Sequence, residues 1–279
     1  MLITDHLFAD FQRDDILDEN GDFVESAPYV YEACPNIEAI RNRAYEKLDR
    51  YNELFPSKKM NLVLFDDALK HLLRITRIIG TNAGNAMLVG VGGSGKQSLT
   101  KLAACIEDQF FFQIQLTRSY GIKDFKEDVH KLYEKSVTAR PKVCFILTDA
   151  EIKKEEFLEA VNSMLSTGEI PGLLNKEDRE MFPTQLKPIW IKEEGKKGDD
   201  PPTSVLWKYF LNRVRDNLHT VLCFSPVGAK FRERSQRFPS IFTQVSIDWF
   251  LQWPLDALVG VSQRFIESFD IFCKKNVKE

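Results

Sequence analysis

The run Gly90-Val91-Gly92-Gly93-Ser94-Gly95-Lys96 constrains what this chain can fold into more than any other stretch. It fits the template G-x-x-x-x-G-K, and its flanks are those the template requires. The apolar run Ala86-Met87-Leu88-Val89 precedes it, and after it Leu99, Leu102, Ala103 and Ile106 recur at the i, i+3, i+4, i+7 spacing of a helix face. Strand, glycine loop and helix N-terminus therefore follow one another. Without Cβ atoms the loop backbone can turn its N–H groups inward around a phosphate, while the helix dipole and the Lys96 ammonium supply positive charge. The expectation is a nucleotide phosphate site over Gly90, Val91, Gly92, Gly93, Ser94, Gly95, Lys96, Gln97 and Ser98.

The template places Ser or Thr directly after the lysine, because that hydroxyl ligates Mg²⁺. Here the position is Gln97, and Ser98 follows one place late. One residue along a helix turns a side chain by about 100°, so Ser98 does not take over the missing position. Gln97 offers a neutral amide oxygen, directly or through water.

Apolar runs at Phe110–Leu116, Lys142–Asp149, His219–Pro226 and Phe242–Asp248 read as four further strands. Helical patterns separate them: Phe157, Leu158, Val161 and Leu165 lead to Gly168, and Trp207, Phe210, Leu211 and Val214 precede the His219 run. Strands that are apolar throughout, alternating with amphipathic helices, indicate a parallel sheet covered on both faces. The expected fold class is α/β, a three-layer P-loop NTPase with a five-stranded parallel sheet.

Upstream, a helix is expected around Ile37–Leu54, and another through Leu69, Leu72, Leu73, Thr76 and Ile79, with an apolar start from Met60 to Phe65 and Gly80 as its C-cap. Downstream, Pro254 opens a last helix through Leu255, Leu258, Val259, Phe265 and Ile266. Residues 1–58 form a lead-in whose eight acids between Asp5 and Glu25 read as a solvated face or loose segment. Residues 59–253 form the large domain, and residues 254–279 begin a small helical one. The stretch from Asn175 to Ser204, rich in breakers, reads as an exposed loop or insertion, with Trp190 and Trp207 beside it as packing anchors.

Composition narrows the function classes. A chain of 279 residues with 43% hydrophobic content can bury a substantial core. A net charge of −3 lacks the basic footprint of a nucleic-acid binder. No uninterrupted apolar run approaches membrane-spanning length, and the N-terminus carries acids where a signal peptide carries bases. The chain is therefore expected to be soluble and intracellular, with neither nucleic acid nor membrane as a partner. Cys34, Cys105, Cys144, Cys223 and Cys273 form no C-x-x-C pair and read as reduced thiols, while His6, His71, His130 and His219 are too scattered for a zinc site.

Hydrolysis on this architecture needs carboxylates at the end of a neighbouring strand. The candidate is Val143-Cys144-Phe145-Ile146-Leu147-Thr148-Asp149-Ala150-Glu151. Counting from the apolar run, Thr148 takes the metal position and Asp149 the catalytic one. Sliding by one makes Asp149 the metal carboxylate and leaves Ala150 where the base belongs. Either way one carboxylate is short, and Asp149 reads equally as a helix cap.

The strings GVGGSGKQS over Gly90–Ser98, Thr148-Asp149-Ala150-Glu151-Ile152, Phe157-Leu158-Glu159 and Ser166-Thr167-Gly168-Glu169-Ile170-Pro171-Gly172-Leu173 resemble the fourth AAA+ module of an axonemal dynein heavy chain. Asn217 to Gly228 and Ser246-Ile247-Asp248-Trp249-Phe250 match the same module, and the likeness extends from about residue 55 onward. The resemblance implies an AAA+ fold with a partial helical extension at the C-terminus. It also implies a ring of such modules that walks on microtubules, in which this one binds ATP or ADP, with Mg²⁺ possible, and regulates rather than hydrolyses.

Ser225 lies where the family places a sensor residue, Gln244 lies near the arginine-finger position, and Leu62 and Val63 resemble residues that pack against adenine. Arg234 and Arg237, close to Gln244, read as surface salt-bridge partners. The implied partners are neighbouring AAA+ modules of the same heavy chain, microtubules reached through a stalk absent from this chain, and dynein intermediate and light chains. The implied location is cytoplasm, cytoskeleton and the axoneme of a cilium or flagellum. Because the stalk and most of the small domain would lie past Glu279, the resemblance further implies a fragment or truncated product. A self-sufficient P-loop ATPase or kinase, or a ring segment that binds nothing, are the alternatives.

Overall fold

The computed structural model describes residues 7–20, 23–25, 27–138, 142–195 and 200–268. Two short antiparallel pairs come first, β1 (Phe8–Ala9) with β4 (Glu32–Ala33) and β2 (Ile16–Leu17) with β3 (Phe23–Glu25). They are followed by α1 (Ile37–Leu54), α2 (Asp66–Gly80), β5 (Ala86–Gly90), α3 (Lys96–Ile106), β6 (Phe110–Gln113), α4 (Ile122–Thr138) and β7 (Val143–Thr148). Next come α5 (Glu156–Thr167), α6 (Lys176–Glu193), α7 (Thr203–Asn217), β8 (Leu218–Phe224), α8 (Ala229–Arg237), α9 (Ser240–Thr243), β9 (Ser246–Phe250) and α10 (Leu255–Ser268).

The five later strands form one parallel sheet in the order β6-β7-β8-β5-β9. Every residue of β5, β7 and β8 is buried, which is why those strands read as unbroken apolar runs. The two-residue period of a strand then sorts their side chains into two cores. Met87, Val89, Phe145, Leu147, Leu222 and Phe224 pack with the buried faces of α4, α5, α6 and α7. Ala86, Leu88, Cys144, Ile146, Val221 and Cys223 pack with those of α1, α2 and α3. The result is a three-layer α/β fold, as expected. No helix among the described residues is long and apolar enough to cross a membrane.

The edges of the sheet depart from the expectation of strands apolar throughout. In β6 Phe110 is exposed and its neighbours are half-buried, and in β9 only Asp248 and Phe250 are buried. The last strand also starts later than expected. Phe242 belongs to α9, where it packs edge-on against Phe231 at 5.4 Å, and the strand begins at Ser246, whose N–H donates to Asn85 O at 2.8 Å.

Helix boundaries follow local chemistry. α1 spans the expected range and is capped by Asn36, whose side chain accepts from Ala39 N at 2.8 Å. α2 starts only at Asp66. Met60–Phe65 is irregular rather than helical, and Gly80 is the last helical residue rather than a left-handed cap. Gly168, by contrast, caps α5 in the left-handed conformation, at φ 76°.

The stretch read as an exposed loop holds an 18-residue helix, α6. Asn175 and Asp178 cap its start reciprocally at 2.8 and 3.0 Å. Phe182, Leu186, Ile189 and Trp190 then lie on one face and pack against the core formed with α7. Pro183 and Pro188 obscure that spacing, and each interior proline costs a helix about 3 kcal/mol. Burying Phe182 and Leu186 completely returns roughly 1.5–3 kcal/mol apiece, enough with the cap to hold the helix. Trp190 and Trp207 are packing anchors, as expected; Trp207 stacks on Phe210 at 5.0 Å. Lys196 to Asp199 of the same stretch, the Phe265 side chain of α10 and Cys273 lie outside the described residues.

The lead-in is docked rather than loose over residues 9–11. Ala9 and Phe11 are buried in the core beneath α1 and α2. Arg43 of α1 grips this segment through Phe11 O at 3.0 Å and the Asp14 carboxylate at 2.6 Å.

Candidate functional site

β5 delivers the glycine loop at its C-terminal end, between β8 and the edge strand β9. Gly90 is required by packing: a Cβ there would sit 2.6 Å from Phe250 Cβ on the adjacent strand. Gly93 and Gly95 serve the loop itself, at φ 80° and 84°, a backbone region costly for any residue with a Cβ. α3 begins at Lys96, so the loop ends on a helix N-terminus.

Lys96 is buried and donates to Gly90 O and Val91 O, both at 2.7 Å, and to Ser94 Oγ at 2.9 Å. Burial lowers its pKa, with Cys223 and Asp149 acting in the opposite direction. The next two residues part company. Gln97 is exposed and its Oε1 accepts from Gln113 Nε2 at 3.0 Å, whereas Ser98 lines a cavity on the other side of the helix start.

That cavity, about 470 Å³, runs from Gly93, Ser94 and Gly95 to Leu62, Val63, Phe250 and Trp253. Leu62 and Val63 are half-buried at its wall, while the adjoining Leu64 is the one sunk into the core. His71 and Arg74 of α2 lie in the same wall and meet the buried carboxylate of Asp248 at 2.6 and 2.9 Å. Neither His71 nor Arg74 belongs to a motif; the signal for them is a lone aspartate in the strand Ser246–Phe250 and two basic residues one helical turn apart.

Thr148 ends β7 and is buried, and Asp149 opens a single turn of tight helix to Glu151. Both Asp149 oxygens are engaged: Oδ1 accepts from Arg234 Nη1 at 2.6 Å and Oδ2 from Ser225 N at 2.5 Å. Arg234 also meets Glu155 at 3.2 Å and lies over the Phe224 ring at 5.5 Å. The expectation of a surface salt bridge is corrected for this arginine. Its side chain is 7% exposed, because α8 folds back across the ends of β7 and β8. Arg237 is exposed and lies over Phe238. Ser225, expected at a sensor position, contributes its backbone N–H to Asp149. Gln244 lines a separate cleft with Asn85 and Leu218, which stand at the opposite end of the sheet from the glycine loop.

Glu151 is the carboxylate that counting along the strand passed over. It is buried, accepts from Thr148 N and from Gln113 Nε2, both at 2.7 Å, and has its pKa raised by that burial. Gln113 thereby joins Glu151 to Gln97. The expected Mg²⁺ positions, Gln97 and Thr148, offer neutral oxygens only. Among the described residues no three His, Cys, Asp or Glu converge on a metal site. This donor set does not fit a cation held by the protein; a Mg²⁺ here would arrive on the phosphates of a nucleotide.

Comparison with known proteins places the arrangement. A family model described as the P-loop containing dynein motor region D4 matches residues 60–279. Dynein axonemal heavy chain 5 of Mus musculus is 45% identical over 281 aligned positions, which cover 99% of this chain and 6% of that protein. Dynein axonemal heavy chain 8 of Homo sapiens is 40% identical, with the same two shares. The dynein gamma chain of the flagellar outer arm of Chlamydomonas reinhardtii is 42% identical, over 97% of this chain and 6% of its own. The chain thus spans well under a tenth of the length of the relatives it matches.

Proposed function

From the premise that this chain belongs to the family of the P-loop containing dynein motor region D4, we propose that it is the fourth AAA+ module of an axonemal dynein heavy chain. In this reading it binds ATP or ADP at the Gly90–Ser98 loop and regulates an ATP-driven microtubule motor for ciliary beating. Residues 1–58 serve as the connection from the preceding module, 59–253 as the large domain and 254–279 as the start of the small helical domain. Its partners are neighbouring AAA+ modules and, through the whole heavy chain, microtubules and the dynein intermediate and light chains, in the axoneme of a cilium or flagellum.

The observation that carries nucleotide binding is that the glycine loop ending on the α3 N-terminus, with Lys96 held against that loop, opens through Gly93, Ser94 and Gly95 onto a cavity walled by Leu62 and Val63. What supports weak hydrolysis is the state of Asp149. A general base needs a lone pair aimed at the attacking water, and Arg234 and Ser225 N each take one from the two oxygens of this carboxylate and orient it toward themselves. Gln97 and Thr148 withhold charge from the metal side as well. Losing about 4 kcal/mol of transition-state stabilisation slows turnover roughly a thousandfold.

Single-turnover assays with radiolabelled ATP and Mg²⁺, run beside equilibrium binding, test both halves. Tight binding with turnover slower than about one per thousand seconds is expected. Turnover near one per second would overturn the regulatory reading, and no retention of either nucleotide would overturn the site.

A further inference from the structure

We propose that His71, held in a single tautomer by Asp248, reads the base of the bound nucleotide and selects a 6-aminopurine over a 6-oxopurine. The inference rests on the nucleotide reading above and names the group that gives that site its base preference. His71 sits in the cavity wall with its ring stacked face-on against Phe250, centroids 3.9 Å apart and planes 10° from parallel. The stack covers one face of the ring, and the hydrogen-bonding nitrogens lie on its edge. One edge nitrogen is committed: Nδ1 lies 2.6 Å from Asp248 Oδ2.

An ionised carboxylate only accepts, so the proton of the neutral imidazole is on Nδ1 and Nε2 carries a lone pair. Arg74 Nη1 takes the other carboxylate oxygen at 2.9 Å. The carboxylate is thus bracketed by two donors, the Arg74 guanidinium on one oxygen and the imidazole Nδ1–H on the other. Asp248 is 6% exposed and His71 12%, so water does not compete freely for the bond between them, whereas Arg74 is half-exposed. Asp248 is thus a positioning residue: it fixes which hydrogen-bonding sense His71 presents.

An Nε2 acceptor pairs with the exocyclic N–H of a 6-aminopurine. Opposite a 6-oxopurine it meets another lone pair, and two acceptors left facing each other in a dry pocket reject the ligand. The same logic predicts an inversion. Asp248→Asn keeps an oxygen for Arg74 but can turn an amide N–H toward Nδ1, which moves the ring proton to Nε2 and makes it a donor suited to a 6-oxo group.

The test is calorimetric titration of the full chain with ATP and with ITP, whose bases differ in the 6-substituent and the N1 proton that accompanies it. The wild type should prefer ATP by about tenfold or more. Asp248→Asn should shift that ratio at least about tenfold toward ITP, and His71→Phe, which keeps the stack on Phe250, should bring it near one by weakening ATP and relieving the repulsion of ITP. A wild-type ratio within about threefold overturns the proposal without recourse to any variant. So does a folded Asp248→Asn protein that loses both ligands equally, since a merely structural carboxylate would do that. If the wild type binds neither, the nucleotide reading itself fails, an outcome distinct from failure of base selection.

Discussion

At the scale of single residues, Lys96 and Arg234 illustrate how one charge type serves two ends. Lys96 is buried against three oxygens of its own loop and stands at the helix N-terminus, where a phosphate would exchange for them. Lys96→Ala should weaken ATP binding more than about tenfold, or 1.4 kcal/mol, in calorimetric titration. Arg234 is buried between two carboxylates that remain about one-third exposed, 35% for Asp149 and 39% for Glu155. Removing it leaves anions that water can partly rescue, so Arg234→Ala should cost about 1–3 kcal/mol in urea unfolding rather than the larger loss of a fully buried pair. His219 shows a third fate. Its Nδ1–H donates to Gly84 O at 2.7 Å, Nε2 is buried without a partner, and burial lowers its pKa from 6.5 to about 4. A histidine kept neutral by the fold contributes stability that is complete above pH 6.5 and is lost as pH falls toward 4. The loss should reach about 3 kcal/mol at the acid end, read as a steeper decline in unfolding free energy than in a His219→Gln protein.

At the scale of elements, β5 follows its local sequence and α6 overrules it. β5 behaves as its apolar run dictates, and its last residue is set by the neighbouring strand rather than by the phosphate loop it feeds. Gly90→Ala would press a methyl group into Phe250, whose backbone cannot retreat without breaking the β5–β9 pairing. It should destabilise the protein by about 1–3 kcal/mol, an overpacking loss visible as a lower melting temperature. α6 reads as loop because two prolines and the breaker-rich residues after Glu193 hide a sound apolar stripe. Its stability comes from α7 and the core, so Phe182→Ala should cost about 3–5 kcal/mol in chemical denaturation, far more than any change in an exposed loop.

For the molecule as a whole, the sheet order puts β5 between β8 and β9, and that order assembles the site. Parallel alignment brings the C-terminal ends of β5, β7 and β8 together, carrying the glycine loop, Thr148–Asp149 and Ser225 to one edge. β9 adds Asp248 and Phe250 beside α2 and so closes the cavity. A nucleotide spanning these elements ties the two cores together. At a concentration a hundred times its dissociation constant it should stabilise the fold by about 2.7 kcal/mol, measured as a ligand-dependent rise in unfolding midpoint. Because the protein offers no ionised metal ligand at Gln97 or Thr148, chelating Mg²⁺ should change ADP affinity by less than about threefold, well under 1 kcal/mol.

Local patterns in the sequence were enough for the three-layer α/β fold, all five strands of the large sheet and the position of the glycine loop. Those features depend on short-range chemistry: a two-residue period, a 3.6-residue period, and glycines where a backbone must turn. They were also enough to show that Gln97 departs from the metal-binding template. Tertiary structure alone decided who meets whom. Asp149 could be base or cap by counting, and only the return of α8 across the strand ends put Arg234 against it, 85 residues later. Leu62 and Val63 were marked only by a family likeness to adenine-packing residues, and it is the approach of β9 that sets them at a cavity wall. His71 and Asp248 lie 177 residues apart, and their 2.6 Å contact exists because β9 pairs with β5 alongside α2. Contacts of that separation leave no local trace, since each residue satisfies its own helix or strand equally well without the other.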